Sequence, residues 1–89
     1  MKIKIELFGA SREFSKDHLI EFEINNNSTI KDVRNKMINY LDKNFSGNEN
    51  FKKIVNSSVF CSENNNIVSD NYKITKNEKI AIIPPIGGG

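Results

Sequence analysis

The sequence has 89 residues, 37% hydrophobic and 27% charged, with 13 basic and 11 acidic side chains and a net charge of +2. That is one domain's worth of chain, with room for a modest core. One cysteine, Cys61, and one histidine, His18, exclude an internal disulfide framework and a Cys- or His-rich metal site. No apolar run approaches a membrane span and no basic block stands out, so neither membrane nor nucleic acid is an expected partner. The expected location is the cytoplasm. P-loop, GxSxG and HExxH motifs are absent, and no spacing joins His18 to Cys61. Any chemistry is therefore expected from a group outside a side-chain constellation.

Residues 2 to 8 alternate, with Ile3, Ile5 and Leu7 on one face of a half-buried strand. Gly9-Ala10-Ser11 breaks the pattern. Residues 18 to 24 alternate again through Ile20, Phe22 and Ile24, a second strand close enough to form a hairpin with the first. After the polar turn Asn25-Asn26-Asn27, Thr29 or Ser28 is an N-cap, and Asp32 lies near the positive end of the helix that follows. Ile30, Val33, Met37, Tyr40 and Leu41 form its apolar stripe, and the helix is expected to stop near Asn44. The stripe is a core face, not a cofactor site.

Residues 46 to 53 are polar and read as a loop anchored by Phe51. Residues 54 to 61 read as a strand, from β-branched Ile54, Val55 and Val59 beside Phe60. Asn64-Asn65-Asn66 is a turn and Ile67-Val68 a very short strand. Residues 79 to 83 form the last strand, and its run Ile80 to Ile83 predicts a central position buried on both faces. A hairpin, one crossover helix and a central final strand parallel to the first define an α+β, ubiquitin-like β-grasp sheet wrapped around one main helix. Its core is expected to use Ile3, Ile5, Leu7, Ile20, Phe22, Val33, Met37, Leu41, Val59, Ile80 and Ile82. The domain spans 1–83 and an extended tail 84–89.

The tail reads Pro84-Pro85-Ile86-Gly87-Gly88-Gly89. The prolines lack an N–H and hold the chain extended, which ends the strand ladder. Glycines without Cβ can pass through a narrow tunnel and bring a carboxylate to a bound nucleotide. Transfer of that carboxylate to the α-phosphate of ATP gives an acyl-adenylate. A sulfur nucleophile then yields a thiocarboxylate, and an amine an isopeptide bond. Gly89 is the expected reactive group, Gly87 and Gly88 its flexible approach, and another protein supplies catalysis. An inert glycine tail is the competing reading.

With that tail behind a β-grasp pattern, the chain resembles the small, sulfur-carrier subunit of molybdopterin synthase, the MoaD family of ubiquitin-like proteins. The similarity is carried by Leu7-Phe8-Gly9-Ala10-Ser11-Arg12-Glu13, by Ser28-Thr29-Ile30-Lys31-Asp32-Val33 and, most specifically, by Glu78 through Gly89. The resemblance implies a carrier with no cofactor or metal of its own. An E1-like enzyme would use ATP to adenylate Gly89, and a persulfide donor would make the thiocarboxylate. The large synthase subunit would take the tail into its active site in a heterotetramer and pass sulfur to a pterin precursor. Phe8, Arg12, Phe60, Pro84, Pro85 and Ile86 are the candidate partner-binding residues. Burial under a loop is the alternative for Phe8, Phe60 and Ile86, and a solvated turn for Arg12. Cys61 reads as a strand-end cysteine. A carrier for thiamine or tRNA thiolation, a protein modifier and a plain binding module are the rival functions.

Overall fold

The computed structural model describes residues 1–86. The chain runs β1 (Lys2–Leu7), a 3-10 turn (Gly9–Phe14), β2 (Leu19–Glu23), β3 (Ser28–Thr29), α1 (Ile30–Asn44), α2 (Glu49–Ser57), β4 (Val59–Cys61), β5 (Ile67–Val68), β6 (Lys73–Ile74) and β7 (Glu78–Ile83). Five strands form one mixed sheet in the order β2-β1-β7-β4-β5, and β3 pairs with β6 apart from it. β1 and β7 lie side by side and parallel, with Ile5 opposite Ile80 and Leu7 opposite Ile82. β2 is antiparallel to β1, and β4 antiparallel to β7. This is the expected ubiquitin-like β-grasp fold.

Alternation along β1 and β7 sends Ile3, Ile5, Leu7, Ile80 and Ile82 to one face, each at most 2% exposed. α1 covers that face with Ile30, Val33, Met37 and Leu41, all fully buried. Its start is fixed reciprocally. The Asp32 amide donates to Thr29 Oγ1 at 3.4 Å, and the Thr29 amide donates to Asp32 Oδ2 at 2.9 Å. Its end comes at Phe45, whose amide donates to the Leu41 carbonyl. Ser46 and Gly47 follow with φ of 53° and 69°, left-handed values that turn the chain away.

The segment after α1 differs from the sequence reading. Residues 49 to 57 form a helix, α2, not a loop followed by a strand; only Val59–Cys61 of the expected strand 54–61 is extended. Asn48 caps α2, its Oδ1 accepting from the Phe51 amide at 3.0 Å. Phe51, Ile54 and Val55 then lie on one helical face. Phe51 packs between Phe14 of the 3-10 turn and Phe45, with ring centres 5.1 Å away in each pair, tilted against Phe14 and edge-on to Phe45. Tyr40 completes the cluster, donating its hydroxyl to the Phe14 carbonyl at 2.7 Å. This packing overrides the β preference of Ile54 and Val55.

Arg34 closes the seam between α1 and the α2–β4 junction. Its Nη1 donates to the carbonyls of Val55 and Ser58 at 2.6 and 2.8 Å, and its Nη2 pairs with Asp70 at 2.8 Å. The guanidinium carbon lies 4.8 Å from the centre of the Phe60 ring.

Three core expectations are corrected. Val59 is 43% exposed, because the β4 register pairs it with Ile83 on the sheet's open face. Phe22 is half-buried, being on an edge strand at the rim of the aromatic cluster. β7 is central but not buried on both faces: Ala81 and Ile83 are half-buried on the side that no helix covers. Phe14, Ile24, Val55, Phe60 and Ile74 fill the core instead.

Candidate functional site at the tail root

β7 carries the chain to the edge of the domain between the end of β1 and the start of β4. Pro84 is buried there and Pro85 is exposed. A Cβ built on Gly9 would lie 3.7 Å from Pro84 Cδ, so the turn after β1 seats the first proline of the tail. Gly9 has φ +56°, a left-handed conformation that favours glycine. Ile86 is fully exposed. Gly87, Gly88 and Gly89, the predicted reactive segment, lie outside the described residues.

The open face of the sheet borders this exit. Alternation places Glu6, Ala81, Cys61 and Ile67 in one row across β1, β7, β4 and β5. Ile83 pairs with Val59 in the row nearest the tail. Ile67 is 72% exposed and Cys61 half-exposed, so β7, β4 and β5 present a continuous apolar strip. Phe8 continues the β1 alternation, extended at φ −122°, and is half-buried. With Lys4, Glu6, Arg12, His18 and Lys79 it lines a shallow depression of about 460 Å³. The structure thus brings Phe8 and Arg12 together, and it leaves Arg12, Pro85 and Ile86 accessible.

Two candidates are placed differently. Phe60 is fully buried under Arg34 and faces the core, so it is not a docking residue; its β4 position opposite Ile82 decides the face. Pro84 is buried and packs on Gly9, so it is less accessible than the sequence reading expected. Val59 and Ile83 flank the exit as partly exposed apolar residues, a placement that sequence reasoning missed. Their signal was the pairing register, which sequence alone does not supply.

No dyad joins His18 and Cys61. His18 precedes β2, which stands three strands from β4, roughly 14 Å at the usual strand spacing. Among the described residues no cluster of His, Cys, Asp and Glu could hold a metal, and no helix is long and apolar enough to cross a membrane. The shifted titrations lie away from the exit. Burial and then the Glu78 carboxylate push the Tyr72 hydroxyl above its ordinary value, and a hydrogen bond to Asp42 raises Lys52. Near the tail, the described residues form a shaped, partly apolar exit.

A mixed sheet gripping one helix, with a proline-led tail leaving from the central strand, defines a ubiquitin-like carrier or modifier domain. The chain belongs to the ThiS family, matching it over residues 5–89. This is the family of ThiS/MoaD-type sulfur carriers and related modifiers with the ubiquitin fold. No curated protein sequence is a significant match. Among solved structures, SAMP1 from Haloferax volcanii is similar at a TM-score of 0.71 and 13% identity, covering 100% of both chains. The Pyrococcus furiosus protein named "Putative molybdopterin converting factor, subunit 1" gives 0.70 and 13%, over 96% of this chain and 98% of that one. A Caldiarchaeum subterraneum ubiquitin gives 0.61 and 22%, over 100% and 98%. At these identities the likeness is one of fold.

Proposed function

We propose that this protein is the sulfur carrier of a molybdopterin synthase and acts through the carboxyl group of Gly89. The supporting observation is the family match, which runs from β1 through the tail to residue 89. An E1-like enzyme binds the domain and ATP; the Gly89 carboxylate attacks the α-phosphorus and pyrophosphate leaves. The acyl carbon then bears AMP as a good leaving group. The outer sulfur of a persulfide donor displaces AMP to give an acyl disulfide. A thiol of the partner cleaves that disulfide, releasing the thiocarboxylate and leaving the donor oxidised as a disulfide. The thiocarboxylate enters the large synthase subunit, where sulfur passes to the pterin precursor. Catalytic side chains and ATP belong to the partners, and the reaction runs in the cytoplasm.

The domain's own contribution is positioning. Pro84 on Gly9 and the ladder ending at Ile83 fix where the tail leaves, so a partner that grips Phe8, Arg12, Pro85 and Ile86 controls where residue 89 arrives. Holding reacting atoms at roughly 3–3.5 Å is a large part of such catalysis.

The structural likeness to SAMP1 and to a ubiquitin keeps a second reading, a modifier attached to lysines, which shares the adenylate. Mass spectrometry of protein purified from its host decides between them. Exchange of one oxygen for sulfur at Gly89 is the expected result. Branched peptides in which the segment Ile80 to Gly89, left by cleavage after Lys79, is joined to a lysine of another protein would establish the modifier. A terminus at Gly89 that is never activated by ATP would remove both.

A further inference from the structure

We propose that a groove between α2 and the tail root is a docking point for one aliphatic side chain of the partner, set beside a partner carboxylate. Through it α2 selects which partner engages the tail. The inference deepens the carrier reading and rests on it for the identity of the partner.

The groove has a volume of about 240 Å³ and is lined by Ala10, Asn50, Lys53, Ile54, Ser57, Pro84 and Pro85. Small-molecule sites run to roughly 300–1,000 Å³, so this one fits a side chain better than a cofactor. Four of its residues are alanine, isoleucine and two prolines. Pro84 and Pro85 make its wall, so a protein that closes around Ile86 must cover it. It lies on the helix side of the sheet, across the tail root from Phe8 and Val59.

Its charge is one-sided. Lys53 is the single ionic group of the lining, and no Asp or Glu faces it. The preceding residue, Lys52, is committed internally, with its ammonium 2.7 Å from Asp42. Lys53 has no ion pair among the described residues and is exposed. An apolar slot with an uncommitted ammonium at its lip complements a side chain such as leucine next to an aspartate or glutamate. A basic neighbour would be repelled.

The test uses the full chain labelled with nitrogen-15 and two probes, N-acetyl-Leu-Asp-amide and N-acetyl-Leu-Lys-amide. The acidic probe should shift the amide signals of Ala10, Lys53, Ile54 and Ser57 saturably, with a Kd on the order of millimolar. It should bind about two- to fivefold tighter than the basic probe, as an exposed ion pair allows. Lys53→Glu should reverse that order, and Ser57→Trp, which fills the groove from an exposed position, should abolish both. Shifts confined to the open sheet face, or a probe order unmoved by Lys53→Glu, would overturn the proposal. So would nuclear Overhauser contacts between Ile86 and Ile54 in the free protein, because the chain's own tail would then be the occupant. Concentration-dependent dimerisation through the groove would also overturn it, with a second copy as the occupant. In adenylation by the cognate E1-like enzyme, Ser57→Trp should raise the KM for the carrier about tenfold with kcat unchanged. An unchanged KM would overturn the partner role. Failure of the wild type to be adenylated would remove the carrier reading instead, and the probe titration would still decide the groove.

Discussion

The two ends of β7 are held in opposite ways. At its start, Glu78 is buried at 7% exposure, accepting from the Tyr72 hydroxyl at 3.2 Å and from the Glu63 amide at 3.4 Å. At its finish, Ile83 is half-exposed and Pro84 cannot donate to the ladder. Beyond them Pro85 and Ile86 stand in solvent beside apolar surface. One end of the same strand is satisfied internally and the other is left for something else to satisfy. Changes near Glu78 or within the strand should therefore be read in stability, and changes beyond Ile83 in partner chemistry.

The sharpest break of that contrast is the tail itself. Deleting Gly88 and Gly89, or adding one residue after Gly89, should abolish ATP-dependent thiocarboxylate formation while leaving the thermal midpoint unchanged. One added residue shifts the carboxylate by up to about 3.3–3.6 Å and turns the old terminus into an amide. Full activity of an extended, untrimmed variant would show that the Gly89 carboxyl is not the reactive group. Inside the strand the effect reverses. Ile80→Ala leaves a cavity against α1 and should cost about 2–5 kcal/mol in a denaturant melt. Once folded, that variant should still be adenylated at the normal rate.

Next in size is the rim. Ile86→Asp and Phe8→Asp should each weaken binding to the E1-like enzyme by roughly tenfold, about 1.4 kcal/mol, because a charge must be desolvated without a partner. Calorimetric titration reads this, and unchanged affinity for both would remove the open side of the exit from the interface. Gly9→Ala should act on both readouts, weakly. Its left-handed φ disfavours alanine by about 1 kcal/mol, while the new methyl group would sit at ordinary contact distance, 3.7 Å, from Pro84 Cδ. A loss of adenylation rate beyond what the melt explains would mark Gly9 as a positioning residue for the tail.

The parts that the sequence made legible are those with local causes. Alternation in β1 and β2, the stripe from Ile30 to Leu41, and the Thr29–Asp32 cap each lie within one segment. The tail is written in residue chemistry, since Pro-Pro and Gly-Gly-Gly behave alike in any fold. What escaped was set by contacts distant in sequence. Ile54 and Val55 favour strand by themselves and are made helical by Phe51 packing on Phe14 and Phe45. Asn48 followed by Glu49, with apolar residues at 51, 54 and 55, was the signal that could have found α2. Phe14 lies in a 3-10 turn, where no periodicity points inward. For Phe60 and Val59, one residue of register exchanges the core and open faces, and β7 rather than β4 sets that register.

The smallest expected effect probes the satisfied end of β7. Tyr72 donates its hydroxyl to Glu78 while partly buried, and burial and the carboxylate both hold the proton on, so the folded-state pKa stands above the ordinary 10.0. The sign follows from linkage. Above pH 10 the unfolded chain releases the Tyr72 proton before the folded one does, so the unfolded state binds fewer protons and stability falls as pH rises. Below pH 10 the contribution is complete. Tyr72→Phe removes the group and one of the two donors to Glu78, which should cost on the order of 1 kcal/mol near neutrality. The difference in unfolding free energy between wild type and Tyr72→Phe should therefore be constant at neutral pH, begin to shrink as pH passes 10, and go on falling until the folded tyrosine has titrated. Urea melts at intervals from pH 7 upward measure it, and the variant serves as the reference for lysine titration in the same range. A difference that stays constant through the alkaline range would mean that the Tyr72–Glu78 bond does not hold the start of β7. The contrast between its two ends would then rest on core packing alone.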